Sequence, residues 1–164
     1  MIEEKSTNIL DQEVDGLLEI EKRARQDNDL ELSVKICRTI VELLWDAKDV
    51  DRLVATVRSL TSKRGQLMKS TTEMVKLCMS YIPHVQPVER QIEFVNAIKQ
   101  ICEKKIYLEV EYARCCMILV KHNEKNEKSL EEAADIMENV QVETYGSMSK
   151  KEKLEFILYQ MKIN

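Results

Sequence analysis

KIYLEVEYARCCMILVKH (105–122) decides the fold. Ile106, Val110, Ala113, Met117 and Val120 recur at steps of three and four, which puts them on one stripe of a helix. Leu108, Tyr112, Cys115 and Leu119 form a second stripe. A helix lying on the surface of a core needs one apolar stripe, so two stripes mean neighbours on two sides. Residues 30–47 read alike: Leu30, Val34, Cys37, Val41 and Leu44 make one seam, and Ile36, Ile40, Leu43 and Ala47 make another. Two-seamed helices set between narrower ones suit a stacked array of helix pairs.

The same period runs outward in both directions. The first helix carries Val14, Leu17, Leu18 and Ile20. The third carries Val50, Leu53, Val54, Val57 and Leu60, and the fourth Leu67, Thr71, Met74, Cys78 and Ile82, stopping at Pro83. Pro87 suits the first turn of the fifth, where its missing N–H costs nothing, and Ile92, Val95, Ile98 and Cys102 follow. Ser129–Glu132 and Ser149–Glu152 each have the form of a capping box and open the seventh and eighth helices. Between them, Gly146 is expected to take the left-handed conformation just past a helix end. In the eighth helix, Leu154, Ile157, Leu158 and Met161 form a stripe expected to serve the preceding pair and also a further, missing one.

The pattern predicts an all-α chain of about eight helices. Short links make successive helices antiparallel. Pairs stacked in series give a right-handed α-solenoid of degenerate, TPR-like repeats over residues 13–164, behind a flexible segment 1–12. Composition agrees. Three glycines and two prolines are too few for a β-protein rich in turns.

Net charge is −4, with ten acids and four bases in residues 1–32, and no basic face of the kind nucleic acid requires. KKEK (150–153) and the lysine pair 104–105 read as solvated faces. No apolar run approaches the roughly 18–20 residues that span a bilayer. The first residues lack the apolar centre of a secretory signal. Five cysteines, at 37, 78, 102, 115 and 116, fall inside helical patterns without CxxC spacing, which suits a reduced compartment.

No catalytic, cofactor-binding or metal-ligating residue is expected. His84 and His122 lack partners at ligand spacing. Gly16, Gly65 and Gly146 are too scattered for a phosphate loop. Cys115 sits on an apolar seam as core filler. Cys116, turned by ~100°, is expected to be partly exposed, and the pair is also readable as a redox switch. Met74, Met117 and Met137 fit seam positions. Trp45 either plugs the junction of two helix pairs or anchors a partner.

Three blocks carry a resemblance: KIYLEVEYARC (105–115), LTSKRGQLMKS (60–70) and VQVETYGSMSKKEKLEFILYQM (140–161). Their order and spacing closely resemble the non-ATPase regulatory subunit 12 family of proteasome regulatory-lid scaffolds, which are PCI-family proteins. The likeness covers nearly the whole chain and is weakest in the acidic first helix. It implies a non-catalytic scaffold without cofactors, found in cytoplasm and nucleus. In that family a helical-repeat arm precedes a PCI module, and this chain matches the arm alone. The implied partners are other lid subunits, including the deubiquitinating subunit, the ATPase base and the core particle, with no nucleic acid and no membrane. The isolated chain is expected to be a monomer or weak dimer. The alternatives are a peptide-binding helical-repeat adaptor and the equivalent scaffold of the COP9 signalosome.

Overall fold

The computed structural model describes residues 2–125, 130–138, 140–146 and 148–163. Among them stand eight α-helices and no strand: α1 (Ile2–Gln26), α2 (Leu30–Asp46), α3 (Val50–Thr61), α4 (Met68–Tyr81), α5 (Val88–Cys102), α6 (Glu109–Lys125), α7 (Leu130–Glu138) and α8 (Lys150–Ile163). Short 3₁₀ turns lie at Ile82–His84, Ile106–Leu108 and Val142–Thr144. The fold class is the expected one, with the neighbour-to-neighbour packing of antiparallel, TPR-like helix pairs. No described helix is long and apolar enough to cross a membrane. The helices form two compact units, residues 1–81 and 82–164.

In the first unit, two turns use one device. After α1 and again after α2 the chain passes through a left-handed residue, Asn28 (φ 52°) and Lys48 (φ 59°). The following N–H then closes back on the previous helix: Asp29 donates to the Ala24 carbonyl at 2.9 Å, and Asp49 to the Leu44 carbonyl at 3.2 Å. This satisfies carbonyls that a helix end leaves orphaned. The same two aspartates start the next helices, their carboxylates accepting the N–H of Leu32 at 3.2 Å and of Arg52 at 3.1 Å. Reversals this tight force antiparallel neighbours. Asp49→Ala is therefore expected to lower stability by about 1 kcal/mol. Lys48→Gly is expected to raise it by about 0.5–1 kcal/mol, because an L-residue is strained at this φ. Urea denaturation reads both.

α2 packs against α1, α3 and α4. Its buried face runs through Ile36, Cys37, Ile40, Val41 and Leu44. Buried Ser33 and Ser70 meet hydroxyl to hydroxyl at 2.8 Å, so small side chains let α2 and α4 come close. At the far end of these helices the rings of Trp45 and Tyr81 stack, 4.3 Å apart and 4° from parallel. Trp45 thus ties the α1–α2 pair to the α3–α4 pair, the first of its two readings.

One buried charge organises the α3–α4 loop. Glu21 is 1% exposed. Its carboxylate accepts from Arg25 Nε and from Gln66 Nε2, both at 3.1 Å. Gln66 also donates to the Leu60 carbonyl at 2.8 Å and accepts the Leu67 N–H at 2.9 Å. Arg25 reaches the Arg64 carbonyl at 3.4 Å. Gly65, at φ 76°, supplies the left-handed step that lets this loop turn toward α1.

In the second unit α6 packs on α5 and on α7, so its two stripes have the two neighbours they imply. Leu108, Cys115 and Leu119 are buried on one stripe, and Val110, Ala113 and Val120 on the other. Three details differ from expectation. Residues 106–108 form a 3₁₀ turn, whose tighter winding breaks the phase of the stripe, and Ile106 is left 83% exposed. Cys116 is fully buried, because with α5 on one flank and α7 on the other the two stripes merge into one broad apolar face. Gly146 is not left-handed. The α7–α8 link instead runs through the 3₁₀ turn, anchored by buried Val142, Tyr145 and Met148.

The Ser149 hydroxyl caps α8 as expected, accepting the Glu152 N–H at 3.2 Å. The Glu152 carboxylate does not complete the box. It is engaged by Arg114, Nε to Oε1 at 2.9 Å and Nη2 to Oε2 at 3.1 Å, a two-bonded pair that outcompetes a single backbone N–H. The Ser129–Glu132 box lies outside the described residues.

Candidate functional site

The residues with reactive side chains are dispersed or sealed. His84 lies exposed in the first 3₁₀ turn and His122 near the end of α6, and no three His, Cys, Asp or Glu side chains among the described residues could hold a metal ion. All five cysteines are buried, and none is in a disulfide. Burial pushes the thiols of Cys37 and Cys102 up to about 12, and raises those of Cys115 and Cys116 as well. A thiol held protonated and out of water is neither nucleophile nor redox sensor. The native chain is therefore expected to react with a thiol reagent only as fast as it opens, and all five cysteines to react at once in denaturant. Fast labelling of Cys115 or Cys116 in the native state would restore the redox reading.

What the structure offers instead is surface. α8 carries the stripe Leu154, Ile157, Leu158 and Met161, expected to serve the preceding pair and also a further one. It buries Phe156, with Ile157, Tyr159 and Ile163 half-buried around it, while Leu154, Leu158 and Met161 are 56%, 56% and 70% exposed. The inward face is fixed by hydrogen bonds as well as by packing. Gln160 Nε2 donates to the carbonyls of Val140 at 2.7 Å and Met137 at 3.2 Å, the open end of α7. Arg114 holds Glu152, and Glu124 accepts from Lys162 at 2.7 Å and from the Tyr159 hydroxyl. These ties rotate α8 so that an apolar row at i, i+4 and i+7 faces out. Sequence periodicity finds such a row but not which way it points.

The Arg114–Glu152 pair has a pH signature. Hydrogen bonding from Arg114 holds the Glu152 carboxyl below its ordinary 4.5. A lowered folded pKa means that its stabilisation is complete above about pH 4.5 and is lost as pH falls through the lower folded value. The pair is partly exposed, so it is worth only about 0.5–1 kcal/mol. Arg114→Met is expected to remove that amount near neutrality and to make the acid limb of the stability curve shallower, read by urea melts across pH.

The sequence family described as PSMD12/CSN4, N-terminal, matches residues 12–164. The chain belongs to this family. It is 37% identical over 154 residues to the 26S proteasome non-ATPase regulatory subunit 12 homolog A of Arabidopsis thaliana, covering 94% of this chain and 35% of that protein. It is 37% identical over 165 residues to the 26S proteasome regulatory subunit RPN5 of Saccharomyces cerevisiae, covering 99% and 37%. Against the 26S proteasome non-ATPase regulatory subunit 12 of Dictyostelium discoideum the identity is 33% over 150 residues, covering 92% and 33%. The chain spans about a third of the length of these curated relatives.

Proposed function

We propose that this chain is the helical-repeat arm of a non-catalytic scaffold subunit of the proteasome regulatory lid. The similarity to relatives named as 26S proteasome subunits, running along almost all of the chain, carries the reading. In it, the arm makes protein contacts with lid subunits, including the deubiquitinating one, and with the ATPase base and core particle. It serves ubiquitin-dependent degradation in cytoplasm and nucleus. The parent protein continues into further helices and a PCI module, and the row Leu154, Leu158, Met161 is where the next helix of the arm packs. That row supports the reading because three large apolar side chains at helical spacing make a seam that gains by being covered. Mechanistically the arm is geometric. Each helix pair adds a rung, so the contact surfaces stand at set distances along the array.

Affinity purification of the tagged full-length protein from cells, followed by mass spectrometry, tests this. Recovery of lid, base and core subunits is the expected result. Recovery of COP9 signalosome subunits instead would assign the protein to the other branch of its family. Recovery of neither would overturn the assignment.

A further inference from the structure

We propose that the cleft between α1 and α3 is a docking groove for an acidic segment of a protein partner. The cleft has a volume of about 640 Å³ and lies within the first unit. Its floor is apolar, with Leu60 buried and Leu18 half-buried. Thr56 and Ser59 add hydroxyls to the α3 wall, suited to the backbone groups of a peptide. Lys22, Lys63 and Arg64 stand on the rim with no ion pair to any described residue. Against them the lining offers the Glu19 carboxylate. Glu21, the other acid of the cleft, is taken up by Arg25 and Gln66.

This local excess of free positive charge stands out in a chain of net charge −4. The cations are also held in place. Gln66 ties the 62–67 loop to α1 and to the end of α3, and Arg25 holds the Arg64 carbonyl, so Lys63 and Arg64 sit on a loop that is fixed before any ligand arrives. A preformed site loses less freedom on binding. Complementary charge fixes orientation and speeds encounter more than it adds affinity. A segment that fits therefore carries carboxylates for the rim and an aliphatic side chain for the floor. Nucleic acid fits less well. No aromatic ring lines the cleft to stack a base.

The test titrates the chain against a short fluorescein-labelled peptide of repeated Glu-Glu-Leu and follows anisotropy. A saturable rise that weakens with added salt is expected. The triple variant Lys22→Glu, Lys63→Glu, Arg64→Glu is expected to bind about tenfold more weakly, three modest exposed contacts acting together. The neutral pair Lys22→Gln, Lys63→Gln is a gentler second variant, expected to weaken binding about threefold. Lys76→Glu, exposed on α4, is expected to leave affinity unchanged. Amide shifts on titration are expected at Ala55, Thr56 and Ser59. Absence of binding, equal weakening by Lys76→Glu, or equally tight binding of a single-stranded oligothymidylate would each overturn the proposal. The titration uses no proteasome component, so its outcome is independent of the assembly reading.

Discussion

Glu21→Ala is expected to cost the first unit about 3 kcal/mol. Removing one member of a buried ion pair typically costs about 3–5 kcal/mol, because the other charge is left without its partner. Here the lower end applies. Arg25 keeps 13% of its side-chain exposure and its contact to the Arg64 carbonyl, so it is not stranded in a dry core. Gln66 Nε2 loses one acceptor but keeps the Leu60 carbonyl. The damage should be focused on the 62–67 loop, which Glu21 holds through Gln66. Denaturant melts give the total. Limited proteolysis shows the location, with Lys63 and Arg64 becoming preferred tryptic sites in the variant. Glu21→Gln is expected to recover part of the loss, since an amide oxygen can still accept from Gln66. A variant as stable as the parent would mean that the network merely decorates a loop fixed by Gly65 and Leu60.

How much of this could be read from the sequence depends on which physical signal a residue leaves. The helices were legible because burial on α2 and α6 recurs with the helical period over many turns. Lone residues at element ends were not. Ile106 continues the period of α6, yet the 3₁₀ turn takes it out of phase. Gly146 looks like a helix stop, but among the described residues the left-handed positions are Asn28, Lys48, Lys104 and Gly65, and at the two lysines hydrogen-bond closure overrides residue preference. The Glu21 network did leave a trace. Glu21 falls on the line Val14, Leu17, Glu21, Ala24, where an apolar residue belongs, with Arg25 one turn on. A charge on an apolar seam with its counter-ion at i+4 marks a buried pair. Gln66 could not be found this way, because a contact 45 residues distant is set by the fold and not by local spacing.

α8 makes the same point from the other side, and it carries the second large effect. Its strongest local apolar row is Leu154, Leu158 and Met161, while the side chain that holds it down is Phe156. Phe156 is 3% exposed and packs in one cluster with Met137, Val140, Val142 and Met148. Phe156→Ala deletes a ring there and leaves a cavity that α6 and α7 cannot fill, which typically costs about 3–5 kcal/mol. Because α8 is otherwise held only by half-buried Ile157, Tyr159 and Ile163, by Gln160 and by partly exposed ion pairs, the loss should appear as release of this helix rather than as unfolding of α5 and α6. Hydrogen exchange reads this directly. Amides of residues 150–163 are expected to exchange about a hundredfold faster, the equivalent of about 3 kcal/mol, with those of α6 little changed. Leu158→Lys is the counterpart. It places a charge on an outward position, so stability should stay within about 0.5 kcal/mol of the parent. In the full-length protein, where the proposed reading packs a further helix on this row, the same lysine is expected to reduce recovery of proteasome subunits. If Leu158→Lys destabilised the chain as much as Phe156→Ala, the row would be part of this unit's own core, and α8 would not be the open edge of a repeating array.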